Sequence, residues 1–265
     1  MFVGMLEGKV ALVLGVTNKF SIGWAIAQAL HREGARLLIS YQGERLERSV
    51  RPLAETLPGT RLYACDVSDD AQIDALFEAV SRETDGLDLL VHSIAYAPTD
   101  ALAGTYVKTA REAFRIALDV SCYSFTALLQ RAAPLMAARG GGAALTLSYL
   151  GGERVIPGYN VMGIAKAALE MSVRYLAWDL GAQKIRVNAI SPGPLSTASS
   201  RAIKGYLDMA QYVRAAAPLR RGNTTAEAAE AALFLLSDHA SGITGELLHV
   251  DAGYNAMGML GATED

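Results

Sequence analysis

Apolar residues fall along the chain in two alternating rhythms. Short runs that are apolar at every position, such as Val10-Ala11-Leu12-Val13-Leu14, suit strands buried on both faces. Longer stretches with apolar residues three and four apart suit amphipathic helices. The runs predict strands at Val10–Leu14, Arg36–Tyr41, Arg61–Cys65, Leu87–His92, Ala143–Ser148, Ile185–Ile190 and Glu246–Val250. The periodic stretches predict helices over Trp24–Glu33, Glu44–Thr56, Asp70–Arg82, Ala110–Ala138 and Val161–Leu180. Thr224 with Glu227 makes a capping-box signature ahead of a last helix, Ala228–Leu236. Gly34 stops the first helix, and Gly140-Gly141-Gly142 connects a helix to a strand. Strands alternating with helices throughout predict one α/β domain of Rossmann type. Its seven-stranded parallel sheet is doubly wound, with helices on both faces. Right-handed crossovers then bring the carboxyl ends of the strands to one edge, where ligands bind.

Composition narrows the function classes. The 265 residues carry 24 Lys+Arg against 27 Asp+Glu, a net charge of −3, which gives no pull towards nucleic acid or an anionic membrane. Aromatic residues are sparse, so a base-stacking surface is not expected. No segment approaches the ~20 apolar residues of a membrane span. Glu7-Gly8-Lys9 interrupts the start before the first apolar run, unlike a signal peptide. Cytoplasm is the expected compartment. Cys65 and Cys122 are too few for a disulfide framework and suit a reduced compartment as space-filling residues. His31, His92, His239 and His249 lack partners at metal-ligand spacing, so no metal is expected. Residues 258–265 are expected to form a flexible tail.

The first strand ends at Gly15, and Gly23 opens the first helix. A tight turn feeding a helix N-terminus suits a dinucleotide's pyrophosphate, and Ser21 offers a hydroxyl to it. The spacing is longer than G-x-G-x-x-G, so an ordinary strand-to-helix loop also fits it. At the tip of the second strand, Gln42 can bond a ribose hydroxyl without needing a phosphate, which points to NADH rather than NADPH. Arg45 lies near it, most simply as a solvated first-turn side chain. Asp66 and Val67, at the tip of the third strand, are placed to bracket an adenine, although Asp66 capping a turn fits equally.

Tyr159, Met162 and Lys166 fall at the opening of one predicted helix. Seven residues are almost two turns, which puts Tyr159 and Lys166 on one face about 10 Å apart along the axis. A phenol there can donate to a developing oxyanion. An ammonium there can hold ribose hydroxyls and favour ionisation of the phenol. By themselves the two are better read as a surface aromatic and a solvated lysine. Their place after the fifth strand, which ends in Ser148-Tyr149, favours the chemical reading.

These residues resemble the short-chain dehydrogenase/reductase family: Gly15…Gly23, Tyr159 with a downstream Lys, and Val187-Asn188-Ala189-Ile190-Ser191-Pro192-Gly193. The common Tyr-x-x-x-Lys is replaced by Tyr-x-x-Met-x-x-x-Lys. The common Asn-Asn-Ala-Gly after the fourth strand is replaced by His92-Ser93-Ile94-Ala95-Tyr96-Ala97-Pro98. Both departures resemble the divergent branch of bacterial NADH-type enoyl-acyl-carrier-protein reductases of type II fatty acid synthesis. The likeness runs from Leu6 to about Tyr254, with one departure at Pro192, where that branch often carries Ala. It implies NADH-dependent reduction of the trans-2 double bond of an enoyl thioester. Tyr159 then bonds the substrate carbonyl, Lys166 holds the nicotinamide ribose, and Tyr149 is a second active-site tyrosine. It further implies cofactor contacts at Gly15, Ser21, Ile22, Gln42, Asp66, Val67, Ser93 and Ile94. Leu195, Ser196, Thr197, Ala198 and Ser199 run past the nicotinamide and diphosphate, and Ala97 touches substrate. An enoyl-acyl carrier protein is the implied partner, and a homotetramer the implied assembly. The apolar helices at 117–138 and 167–180 are candidates for its interfaces or for plain core.

Residues 194–217 carry a helical apolar face with Arg201 and Lys204 among it. This segment is either a packed helix or, as the resemblance implies, a mobile lid over an acyl chain whose cations attract an acidic carrier. Two other functions compete. A 3-ketoacyl or alcohol reductase of the same fold would use a serine such as Ser148, but it would carry the shorter Tyr–Lys spacing. A non-catalytic nucleotide sensor would need none of Tyr149, Tyr159 and Lys166.

Overall fold

The computed structural model describes residues 4–197 and 206–258. Expectations at Ala198, Ser199, Arg201 and Lys204, and for 259–265, lie outside the described residues. The strands are β1 (Val10–Leu14), β2 (Arg36–Tyr41), β3 (Arg61–Ala64), β4 (Leu89–His92), β5 (Gly142–Leu147), β6 (Ile185–Pro192) and β7 (Leu247–Val250). They form one seven-stranded sheet in the order β3-β2-β1-β4-β5-β6-β7. Every neighbouring pair is parallel. The helices are α1 (Ile22–Arg32), α2 (Gly43–Ala54), α3 (Asp70–Glu83), α4 (Arg111–Leu118), α5 (Ser124–Ala138), α6 (Val161–Gly181), α7 (Tyr206–Ala216) and α8 (Thr225–Leu236).

Side-chain alternation along the buried strands builds two cores. Ala11 and Val13 face one layer with α1 and α8, where Leu30, Ala229 and Leu233 pack. Val10, Leu12 and Leu14 face the other layer with α3, α5 and α6, where Phe77, Phe125, Leu128 and Leu169 pack. Leu14 pairs with Ser40 on one side and His92 on the other, so the strand order reverses beside β1. Such a reversal opens a crevice at the carboxyl edge of the sheet.

Most ends lie within three residues of the sequence pattern, and two departures bear on the site. The helical stretch from Ala110 to Ala138 is interrupted: α4 passes into α5 through a π-helical turn at Asp119–Tyr123. Within that turn the Ser121 hydroxyl accepts from the Tyr96 N–H and donates to the Tyr96 carbonyl, both at 2.9 Å. Single π-turns inside helices favour functional sites. Secondly, α1 begins at Ile22, ahead of Trp24, with Ser21 as its N-cap accepting from the Trp24 N–H at 3.3 Å.

Gly15 is fixed by geometry. Its φ is +90°, and a Cβ there would lie 2.0 Å from the Ser93 carbonyl oxygen. The turn after β1 thus crosses directly over the chain leaving β4. Gly15→Ala should lower unfolding free energy by at least about 2 kcal/mol, through left-handed strain plus the clash. Urea denaturation followed by circular dichroism checks this, and an unchanged midpoint would show that the crossing has slack.

Candidate active site

A cavity of about 1220 Å³ runs along the carboxyl edge of the sheet. One end is bounded by Gly15, Ser21 and Ile22 at the start of α1, with Gln42, Asp66 and Val67 beyond them. The middle is bounded by Ser93 and Ile94. The other end holds Ala97, Tyr149, Tyr159, Lys166, Leu195 and Thr197. The structure therefore gathers the predicted residues into one wall. Ser196 is exposed and lies off that wall.

At the first end, Ser21 is committed to the fold as well as to the cavity. Its hydroxyl caps α1 and donates to the Asn18 carbonyl at 2.8 Å. Gln42 Nε2 donates to Asp66 Oδ2 at 2.8 Å. Asp66 Oδ1 accepts from the Ser68 N–H at 3.0 Å and the Ser68 hydroxyl at 2.7 Å, so Asp66 does cap a turn while facing the cavity. Burial pushes its carboxyl up, but the Ser68 N–H, Gln42 and the Ser68 hydroxyl outweigh this and hold it below its ordinary range. Arg45 is exposed, as read from sequence, but it also lines the rim here.

At the other end, Lys166 is only 4% exposed, and its Nζ donates to the Leu147 carbonyl at 2.6 Å. Burial pushes its pKa down to about 8. Lys166 and Met162 project from the first turns of α6. Tyr159 does not lie on that helix, which corrects the sequence reading. Asn160 has φ of +43°, breaking the helical path, and α6 opens at Val161. The phenol is aimed by packing instead. Its ring meets Tyr149 edge-on at 5.0 Å between centroids and 70° between planes. On its flank, a Cβ at Gly151 would lie 2.4 Å from Tyr159 Cδ1. Burial, with Tyr149 and Glu170 nearby, pushes the phenol pKa up. Desolvation rather than the expected promotion by Lys166 governs the phenol, which is a neutral donor. The Tyr149 hydroxyl donates to Met209 Sδ on α7 at 3.4 Å, which ties that helix to the site.

A family model described as enoyl-(acyl carrier protein) reductase matches residues 15–255. The chain belongs to the enoyl-acyl-carrier-protein reductase family. It is 49% identical over 257 residues to the enoyl-acyl-carrier-protein reductase (NADH) FabI of Synechocystis sp., covering 96% of this chain and 99% of that one. The enoyl-acyl-carrier-protein reductase of Anaplasma phagocytophilum, solved in complex with NAD, superposes with a TM-score of 0.92 at 43% identity, covering 99% of this chain and 97% of that one. The Bacillus cereus enzyme, solved with NADP+ and an indole naphthyridinone, gives 0.94 at 47% identity, covering 97% and 100%.

Sequence reasoning missed several parts of the wall of this family member. Asp119 and Val120, in the π-turn that helical periodicity conceals, line the cavity. Cys65 lines the cavity rather than only filling core. Its position one residue before Asp66 was the available signal. Burial, then Asp66 and Asp69, push its thiol up to about 12. No group of three or more potential metal ligands occurs among the described residues, and no helix there is long and apolar enough to cross a membrane. Since the thiolate is the nucleophile, Cys65 should alkylate with iodoacetamide at pH 8 roughly 10³-fold more slowly than a free thiol. Peptide mass spectrometry over a time course checks this, and modification at the free-thiol rate would contradict it.

Proposed function

We infer that the chain is an NADH-dependent enoyl-acyl-carrier-protein reductase, reducing the trans-2 double bond of enoyl thioesters in type II fatty acid synthesis. The observation that carries this is the edge-on pair of Tyr149 and Tyr159 together with a buried Lys166 in the lining of one cavity. The cavity fits a dinucleotide by its donor set. A capped helix N-terminus suits the pyrophosphate, a Gln42–Asp66 pair suits ribose and adenine, and a buried ammonium suits the second ribose. The Asp66 carboxylate beside Gln42 opposes a 2′-phosphate by charge, which supports NADH over NADPH despite Arg45 at the rim.

NADH, when bound, supplies the hydride. Tyr159 donates a hydrogen bond to the thioester carbonyl oxygen, which gathers negative charge as the double bond is reduced. Lys166 orients the ribose hydroxyls, and the Tyr149 ring holds the phenol in place. Ala97 packs in the apolar cluster with Tyr159, Met162 and Ala101, where an acyl chain would lie. Leu195, Thr197 and α7 form the described part of the lid at 194–217. The carrier protein delivers the substrate as partner. Ile164, Met171, Tyr175 and Trp178 make an exposed apolar stripe along α6, which supports burial in a homotetramer. The two cysteines are free and buried, in keeping with work in the cytoplasm.

The ketoacyl-reductase alternative needs a free serine. Ser148, which lines the same cavity, instead commits its hydroxyl proton to Glu170. The sensor alternative leaves a buried ammonium without a use.

Absorbance of NADH with a trans-2-enoyl thioester tests the reading, with NADPH and a ketoacyl thioester in parallel arms. Loss of NADH with the enoyl substrate alone is expected. Reduction of only the ketoacyl thioester would overturn it. Tyr159→Phe should cost about 10²–10³ in turnover while NADH still binds, because one oxyanion donor is removed.

A further inference from the structure

Behind Lys166 lies a buried carboxylate that the mechanism above does not use. Glu170 stands one turn further along α6 and is 7% exposed. Its Oε1 accepts the Ser148 hydroxyl. The residue before Ser148 is Leu147, whose carbonyl takes the Lys166 ammonium at 2.6 Å. Two successive residues at the end of β5 are thus tied to two successive turns of one face of α6. The fit is close: a Cβ at Gly152 would lie 2.4 Å from Glu170 Oε1 and 3.0 Å from the Ala167 nitrogen. The 3₁₀ turn Leu150–Gly152, which carries the chain from Tyr149 towards Tyr159, is therefore held between the Tyr159 ring and the Glu170 carboxyl.

We propose that Glu170 is a positioning residue for cofactor binding, acting through Ser148 to fix the end of β5 on α6 and through its charge to keep Lys166 in the ammonium form. This rests on the NADH reading of the cavity. A buried ammonium with only a carbonyl partner loses its proton easily; a carboxylate one turn away opposes that loss. The charged groups facing Glu170 are Glu153, Arg174 and His249. Burial, with Glu153, holds its carboxyl above the ordinary range, and the Ser148 bond, Arg174 and His249 offset only part of that rise. Burial depresses Lys166 to about 8, while Cys122 and Glu170 act in the opposite direction. A purely packing role for Glu170 predicts no dependence on its charge.

The test is the dissociation constant of NADH, read from nicotinamide fluorescence between pH 6 and 9, in wild type, Glu170→Gln and Ser148→Ala. Glutamine keeps the shape and the acceptor for Ser148 but removes the charge. Lys166 should then lose its proton roughly one pH unit lower. At pH 8 NADH should bind about fivefold more weakly than to wild type, and at pH 6.5 nearly as well. Ser148→Ala should weaken binding about fivefold at every pH, and Ser148→Thr should restore it. A pH profile of Glu170→Gln that overlays wild type would overturn the charge role. Wild-type affinity in Ser148→Ala would overturn the tether, and that variant decides the tether even if Glu170→Gln fails to fold. Enoyl turnover is assayed separately. Wild type that binds NADH without reducing the thioester would sink the function above and leave this test intact; wild type that does not bind NADH would overturn both.

Discussion

Burial of the Lys166 ammonium is the constraint on which the rest of the site depends. Taking a cation out of water is expensive, and the depressed pKa, about 8, records that cost. What makes it tolerable is local. The Leu147 carbonyl is free to accept because β5 ends there, and the Ser148 N–H still continues the ladder to the Ile190 carbonyl at 2.8 Å. The chain must then leave the sheet without a side chain in the way. Gly151 and Gly152 supply that, one against the Tyr159 ring and the other against Glu170. A bulkier residue at either position would displace a chemical group by displacing its support.

The opposite end of the cavity depends on a second close approach. Gly15 crosses the chain after β4 so tightly that the first turn and the Ser93 segment behave as one wall. Glycine is usually explained at such turns by a ligand's need for backbone contact. Here the protein's own chain already requires it, before any ligand is considered. The same two segments then bracket the reversal in strand order, so the sheet topology and the site share their most crowded contact.

The seven strands and their parallel, doubly wound sheet were plain in the sequence because strands buried on both faces leave continuous apolar stretches that little else resembles. The gathering of Gly15, Asp66 and Lys166 on one wall followed from the topology, while Ile94 was reached only through the family resemblance. Periodicity failed where a local bond overrides it. Ser121 grips both polar groups of Tyr96 from within the π-turn at Asp119–Tyr123, and Asn160 at φ +43° sets Tyr159 off the helix it was assigned to. The Ser148–Glu170 bond was also hidden. The two residues are 22 positions apart, and a glutamate in a helix reads as solvated until the strand end beneath it is known.

Burial moves the two central side chains in opposite directions, and the result bears on which way the chemistry runs. It lifts the Tyr159 phenol above its ordinary pKa and lowers the Lys166 ammonium to about 8. As pH rises, the lysine therefore gives up its proton well before the tyrosine does. A site that must remove a proton from an alcohol needs a phenolate, and here desolvation opposes one. A site that must stabilise charge gathering on a thioester oxygen needs a neutral donor held in a dry, fixed place. Tyr159, nearly enclosed and braced by Tyr149 and Gly151, meets the second need and not the first. The electrostatics of this wall thus suit donation to a substrate oxygen in a reduction; ketone reduction would use the same neutral phenol, so the choice between enoyl and ketoacyl substrates rests on the spacing of Tyr159 and Lys166.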